Sequence, residues 1–132
     1  MFVKKTYTLV LPIRPVPKRE IKTRYGRQKG YYDKRYIEYR KSLFTLIKSE
    51  LRERIELADD EAIAVELTFC KNAIYCIVSV IKKDDHRTKK PDLDNLIKPF
   101  LDELKIAIGV DDSKIVKITA SKYDKITIDE RR

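Results

Sequence analysis

The feature that most constrains the fold is an amphipathic helix predicted in the last third of the chain. Its apolar residues recur at intervals of three and four, so they cover one helix face: Leu93, Leu96, Ile97, Phe100, Leu101, Leu104 and Ile108. Pro99 lacks an amide hydrogen and disfavours a helix interior. We therefore expect the helix to begin only shortly before it, with Asp94 or Asn95 as the N-cap. Gly109 is expected to end the helix.

Acidic residues stand at both ends of this helix. Asp92 and Asp94 lie at its start, Lys98 follows one turn later, and Asp111 with Asp112 comes just beyond its end. If the backbone is still extended at the start, Asp92 and Asp94 point the same way. Carboxylate oxygens are the ligands that Mg²⁺ prefers, so the pattern indicates a metal-dependent phosphodiester-cleaving site. The alternative is that these residues only cap a helix and form a turn.

Two strings in this region, TKKPDLDNLIKPFLDEL and DDSKIV, resemble the signature of the RusA-type Holliday-junction resolvases. Looser similarity extends to LPIRPVPKR and YYDKRYIEYRKSL. The resemblance implies a small homodimeric endonuclease of phages, prophages or bacteria that acts on branched DNA. It also implies that Asp92, Asp94 and Asp112 bind Mg²⁺, with Mn²⁺ as a substitute, and that Lys98 is needed for cutting. Whether Asp111 also binds the metal is left open.

The size and charge of the chain limit the number of domains and the kinds of partner that it can have. Its 132 residues predict a single domain over residues 1–132. Lysine and arginine number 30 against 21 aspartate and glutamate residues, giving a net charge of +9. That charge favours a polyanionic partner, although a basic protein without such a partner is the alternative. No apolar stretch approaches the roughly 20 residues of a membrane span, and no signal peptide is visible, so we expect a soluble, cytoplasmic protein.

A basic segment follows the first predicted strand, which covers residues 6–13. Its prolines and glycines argue against regular structure. Arginines and lysines alternate with tyrosines, a composition suited to contacting phosphates and stacking on unpaired bases. The alternative is a solvated basic loop. The candidate DNA-binding residues are Arg19, Lys22, Arg24, Arg27 and Lys29 in this segment, and Arg87, Lys89 and Lys90 just before the amphipathic helix.

The remaining elements complete an α+β fold. A helix is predicted from Asp33 to Glu56, with Asp33 as its cap and an apolar stripe formed by Tyr36, Leu43, Phe44, Ile47, Leu51 and Ile55. IAVELTFC and AIYCIVSVI predict a hairpin that turns at Lys71-Asn72, or one bent strand. KIVKITASKY and KITIDE predict a final hairpin. The order β-α-β-β-α-β-β favours a mostly antiparallel sheet with two helices packed on it. Cys70 and Cys76 are expected to be reduced core residues.

The functional hypothesis is a metal-dependent, structure-selective DNA endonuclease that resolves four-way junctions in recombination and repair. Two alternatives remain at this point. One is a non-catalytic basic protein that binds nucleic acid and whose aspartates only cap helices. The other is a metal nuclease that acts on a different branched DNA.

Overall fold

The computed structural model describes residues 2–18, 20–21, 31–32 and 34–124. The chain divides into two compact units, Met1–Lys82 and Lys83–Arg132. The first contains β1 (Val3–Leu11), β2 (Glu20–Ile21), β3 (Tyr31–Tyr32), α1 (Lys34–Leu51), β4 (Glu61–Phe69) and β5 (Ile74–Lys82); the second contains α2 (Leu93–Ile108) and a 3₁₀ helix, Asp112–Lys114. These elements confirm the α+β class. None of the helices in the described residues is long and apolar enough to cross a membrane.

The first unit is built on a three-stranded antiparallel sheet with the order β1-β5-β4. The predicted hairpin is confirmed, because β4 and β5 pair along their whole length from Glu61↔Lys82 to Phe69↔Ile74. The amide of Cys70 donates to the Ala73 carbonyl at 2.8 Å across the turn. The alternative of one bent strand is therefore wrong.

The core of this unit lies where α1 packs against β1 and β5. The most buried residues there are Leu9, Leu11, Ile74 and Cys76. The helix contributes Tyr39, Leu43, Leu46, Ile47 and Leu51. Phe44, which the predicted stripe includes, is 67% exposed, because its position on the helix lies about 100° from the centre of the packed face.

Several boundaries differ from the predicted ones. α1 ends at Leu51 because Arg52 adopts a left-handed backbone with φ 45°, so Ile55 is not part of the helix. The predicted cap Asp33 lies outside the described residues. Cys76 is buried, which raises the pKa of its thiol, whereas Cys70 is exposed. The core placement of the cysteines is therefore right only for Cys76.

The predictions for the basic segment and for the final hairpin also need correction. The basic segment contains a short antiparallel ladder between β2 and β3, although its composition predicts no regular element. The first strand of the final hairpin does not form: within Ile115–Asp124 the only pairing is an isolated bridge between His86 and Tyr123. The physical reason is that its apolar residues lack a buried face, with Val116 91% exposed. KITIDE lies outside the described residues.

Candidate active site

Helix α2 begins earlier than its proline suggests. Asp92 is the N-cap with extended backbone, φ −68° and ψ 147°. The amide of Asn95 donates to the Asp92 carbonyl at 3.1 Å and closes the first turn there. Pro99 therefore lies inside the helix, and the N-cap predicted at Asp94 or Asn95 is wrong. Asp94 lies in the first helical turn, so the extended backbone expected for both aspartates is found only at Asp92.

The side chain of Asp92 does not serve as a cap. It makes no capping hydrogen bond, and its carboxylate, 57% exposed, lies 3.4 Å from Lys90 Nζ. Within the described residues, the carboxylate of Asp94 makes no hydrogen bond or ion pair. The positive end of the helix dipole favours a negative charge at both positions. Both carboxylates are therefore available to a cation at the start of α2, and capping does not account for the Asp92 side chain.

Lys98 lies one turn after Asp94 on the exposed side of α2. Its ammonium group contacts Asp102 Oδ1 at 3.0 Å, and the two side chains are 78% and 48% exposed. Asp102 is a partner that the sequence reasoning missed, although a spacing of four residues is the usual signal for such a pair. The pair is exposed, so it stabilises the helix only weakly and leaves the Lys98 charge accessible to an incoming anion.

The two aspartates beyond α2 are used differently. Gly109 ends the helix in a left-handed conformation with φ 66°. Asp111 then caps the 3₁₀ helix, since its carboxylate accepts hydrogen bonds from the hydroxyl and from the amide of Ser113, the latter at 3.4 Å. These bonds hold the pKa of Asp111 below its ordinary value. The Asp112 carboxylate instead lies 3.6 Å from Lys105 Nζ. Asp111 thus has a structural use that Asp112 does not share.

The predicted DNA-binding residues before α2 are also in different environments. Arg87 uses its guanidinium group within the second unit: Nη1 contacts Asp124 Oδ1 at 2.7 Å, and Nε and Nη2 donate to the Lys90 carbonyl at 3.3 and 3.1 Å. The side chains of Lys89 and Lys90 are exposed. DNA contact by all three stays a prediction, and three of the five donors of the Arg87 guanidinium already have partners within this unit. Arg19, Lys22, Arg24, Arg27 and Lys29 lie outside the described residues.

Sequence reasoning also missed the residues that hold the loop before α2. Lys122 Nζ donates to the carbonyls of Lys89 and Pro91, each at 3.0 Å. His86, the only histidine, stacks on Tyr123 with ring centroids 4.3 Å apart. No local pattern signals these contacts, because they join residues more than 30 positions apart.

The aspartates have the right chemistry for a divalent cation, but the structure does not gather them around one. Among the described residues, no three His, Cys, Asp or Glu side chains are close enough to hold a metal ion. Carboxylate oxygens are nevertheless the ligands that hard cations take. Asp92 and Asp112 each already lie beside a lysine ammonium group. The three side chains fit Mg²⁺ in their chemistry because all of them are carboxylates.

Comparison with known proteins identifies the family. A family model described as Endodeoxyribonuclease RusA matches residues 12–129, which include α2, both acidic pairs and the strands β4 and β5 but not β1. No curated protein and no solved structure gives a significant match. Because the family match spans nearly the full chain, the protein belongs to the RusA endodeoxyribonuclease family.

Proposed function

We propose that the protein is a Mg²⁺-dependent, structure-selective endonuclease that resolves four-way DNA junctions by paired phosphodiester cleavage. Family membership supports endonuclease activity on Holliday junctions. The observation that carries the metal dependence is the Asp92 carboxylate, which stands exposed at the N-terminus of α2 without a capping hydrogen bond. Helix capping therefore does not explain this carboxylate, whose recorded contact is an exposed ion pair with Lys90, and a cation-binding role would explain it.

In this proposal, the metal is held by Asp92, Asp94 and Asp112. When bound, Mg²⁺ would activate a water molecule and stabilise charge on the leaving oxygen. Asp112 is favoured over Asp111 because the Asp111 carboxylate already accepts two hydrogen bonds from Ser113. Asp111 would then act by shaping the turn that presents Asp112.

Lys98 would meet the scissile phosphate. Its ammonium group is exposed, and its contact with Asp102 is an exposed i,i+4 pair that costs little to break. A positive charge that strengthens its contact as negative charge develops on the phosphate lowers the barrier to cleavage. Lys98 would thus stabilise the transition state while adding less to the binding of intact DNA.

Binding and symmetry complete the proposal. Lys89 and Lys90 are exposed beside Asp92, where their charge would draw the phosphate backbone toward a cluster of carboxylates that would otherwise repel it. The basic residues between Arg19 and Lys29 would extend this contact. A four-way junction has two-fold symmetry and must be cut twice, so a homodimer with two sites would match it. The activity would serve DNA recombination and repair in the cytoplasm.

A substrate panel tests this proposal. We expect purified protein to cut a synthetic four-way junction in Mg²⁺ and to leave it intact in EDTA, with a linear duplex of the same sequence as the control. Mn²⁺ is expected to substitute. Faster cutting of a flap or fork than of the junction would assign the enzyme to another branched DNA. Binding without cutting in either metal would make it a non-catalytic nucleic-acid-binding protein.

A further inference from the structure

The loop that leads into Asp92 is held by cationic side chains through its backbone. Lys122 Nζ donates to the carbonyls of Lys89 and Pro91 at 3.0 Å each. The Arg87 guanidinium donates to the carbonyl between them, that of Lys90, at 3.1 and 3.3 Å. Three successive carbonyl groups therefore point at positive charge. The last of them, on Pro91, belongs to the peptide unit that joins Pro91 to Asp92.

The segment that carries Lys122 is itself fixed against this loop. The Arg87 amide donates to the Lys122 carbonyl at 2.9 Å, and the Asp124 amide donates to the Asp85 carbonyl at 3.3 Å. His86 and Tyr123 form a bridge and stack their rings. Lys122 is half-buried, so its side chain is held close to the carbonyl groups it contacts. The backbone from Lys122 to Asp124 is thus held against this loop.

We propose that Lys122 is a positioning residue for the proposed metal site: its two bonds to the loop fix the backbone from which the Asp92 carboxylate extends. The inference rests on the metal-binding role proposed for Asp92. An ammonium group has three donors and no acceptor, and hydrogen bonds from charged donors are stronger than neutral ones. Because Asp92 makes no capping hydrogen bond, its side chain is not anchored at the helix. Its placement depends on the backbone that Lys122 holds.

The alternative is that Lys122 only stabilises the fold. The two roles differ in what a variant without the donors would lose. If Lys122 is only structural, its loss should lower the unfolding temperature and leave the folded fraction with wild-type metal affinity. If Lys122 is a positioning residue, its loss should weaken metal binding in protein that is still folded, since outer contacts that orient ligands typically change metal affinity by about 10- to 100-fold.

The test measures the affinity for Mn²⁺ by titration calorimetry together with the thermal unfolding midpoint. Lys122→Met keeps the apolar stem and removes the donors, and Lys122→Arg keeps a charged donor group. Lys117→Met is the matched control, because Lys117 is an exposed lysine of the same irregular segment. We expect Lys122→Met to bind Mn²⁺ about tenfold more weakly while still folded. Lys122→Arg should recover most of that loss, and Lys117→Met should bind as the wild type does.

Asp92→Asn separates failure of this inference from failure of the proposed metal site. If the wild type does not bind Mn²⁺, or if Asp92→Asn binds it equally well, the metal site itself is wrong. If Asp92→Asn loses binding and Lys122→Met keeps wild-type affinity, the positioning role is wrong and the metal site stands. If Lys122→Met is unfolded at the assay temperature, Lys122 serves the fold and the positioning role is likewise refuted.

Discussion

Replacement of Lys98 by alanine should slow cleavage far more than it destabilises the protein. The Lys98–Asp102 pair is exposed, with 78% and 48% of the two side chains accessible, so breaking it should cost less than about 0.5 kcal/mol. A group that acts mainly in the transition state contributes more: a 100-fold loss of rate corresponds to about 2.7 kcal/mol. Single-turnover cleavage of a four-way junction at saturating enzyme measures the rate, and thermal unfolding measures the stability.

Asp102→Asn is the matched control for this variant. It breaks the same ion pair and leaves the Lys98 ammonium group in place, so its stability should fall equally while its rate stays within about threefold of the wild type. Lys105 would be a poor control because it lies 3.6 Å from Asp112. Equal rate losses in Lys98→Ala and Asp102→Asn, or a loss below about threefold in Lys98→Ala, would refute a transition-state role for Lys98.

Three further predictions concern the acidic pair after α2, the positive net charge of the chain and the buried residue Glu61. Asp112→Asn should abolish cleavage, whereas Asp111→Asn should retain most of it because asparagine also caps; equal losses in the same cleavage assay would contradict the division of roles. The affinity for the junction should fall steeply with salt concentration, with a log-log slope of about −0.9 per neutralised phosphate. An affinity that does not change with salt in gel-shift titrations would contradict binding to a polyanion. The Ala58 amide and Lys4 lower the pKa of Glu61, so its contribution to stability is present at neutral pH and is lost as the pH falls below about 4.3. Glu61→Gln should therefore unfold at a lower temperature than the wild type at pH 7, by a margin that shrinks toward pH 3; a margin independent of pH would contradict this.

Local patterns predicted the elements that local forces determine. The β4–β5 hairpin could be predicted because an alternating run and a continuously apolar run flank a short polar turn. The end of α2 could be predicted because Gly109 readily adopts the left-handed conformation that ends a helix. The start of α2 could not be predicted, because the expected penalty for Pro99 favoured a later start, and the Asp92 side chain at the N-cap position makes no capping hydrogen bond. The strand predicted after Lys114 failed because alternation holds a strand only when one face is buried, and Val116 is 91% exposed.

Some features of the candidate site could likewise be predicted from the local sequence, and others could not. Asp92, Asp94 and Lys98 could be proposed from their spacing, whereas the choice of Asp112 within the second acidic pair came from the resemblance to the RusA family. The pairing of Lys98 with Asp102 could also have been predicted, because the two residues are four positions apart. The different uses of Asp111 and Asp112 depend on side-chain directions that no pattern gives. The role of Lys122 could not be predicted for another reason. Its hydrogen bonds join residues 31 and 33 positions apart in the sequence, and such contacts follow from tertiary structure alone.

The central claim is that carboxylates at the ends of α2 hold the metal that cleaves junction DNA, and Asp92→Asn tests it most directly. The measurement is single-turnover cleavage of a four-way junction in Mg²⁺ and in EDTA, with junction binding followed on the same samples. We expect Asp92→Asn to bind the junction at least as tightly as the wild type, because a negative charge facing phosphate is removed, and not to cut it in Mg²⁺. Cleavage by Asp92→Asn at the wild-type rate, or cleavage by the wild type in EDTA, would show that Asp92 does not hold a metal ion needed for cutting.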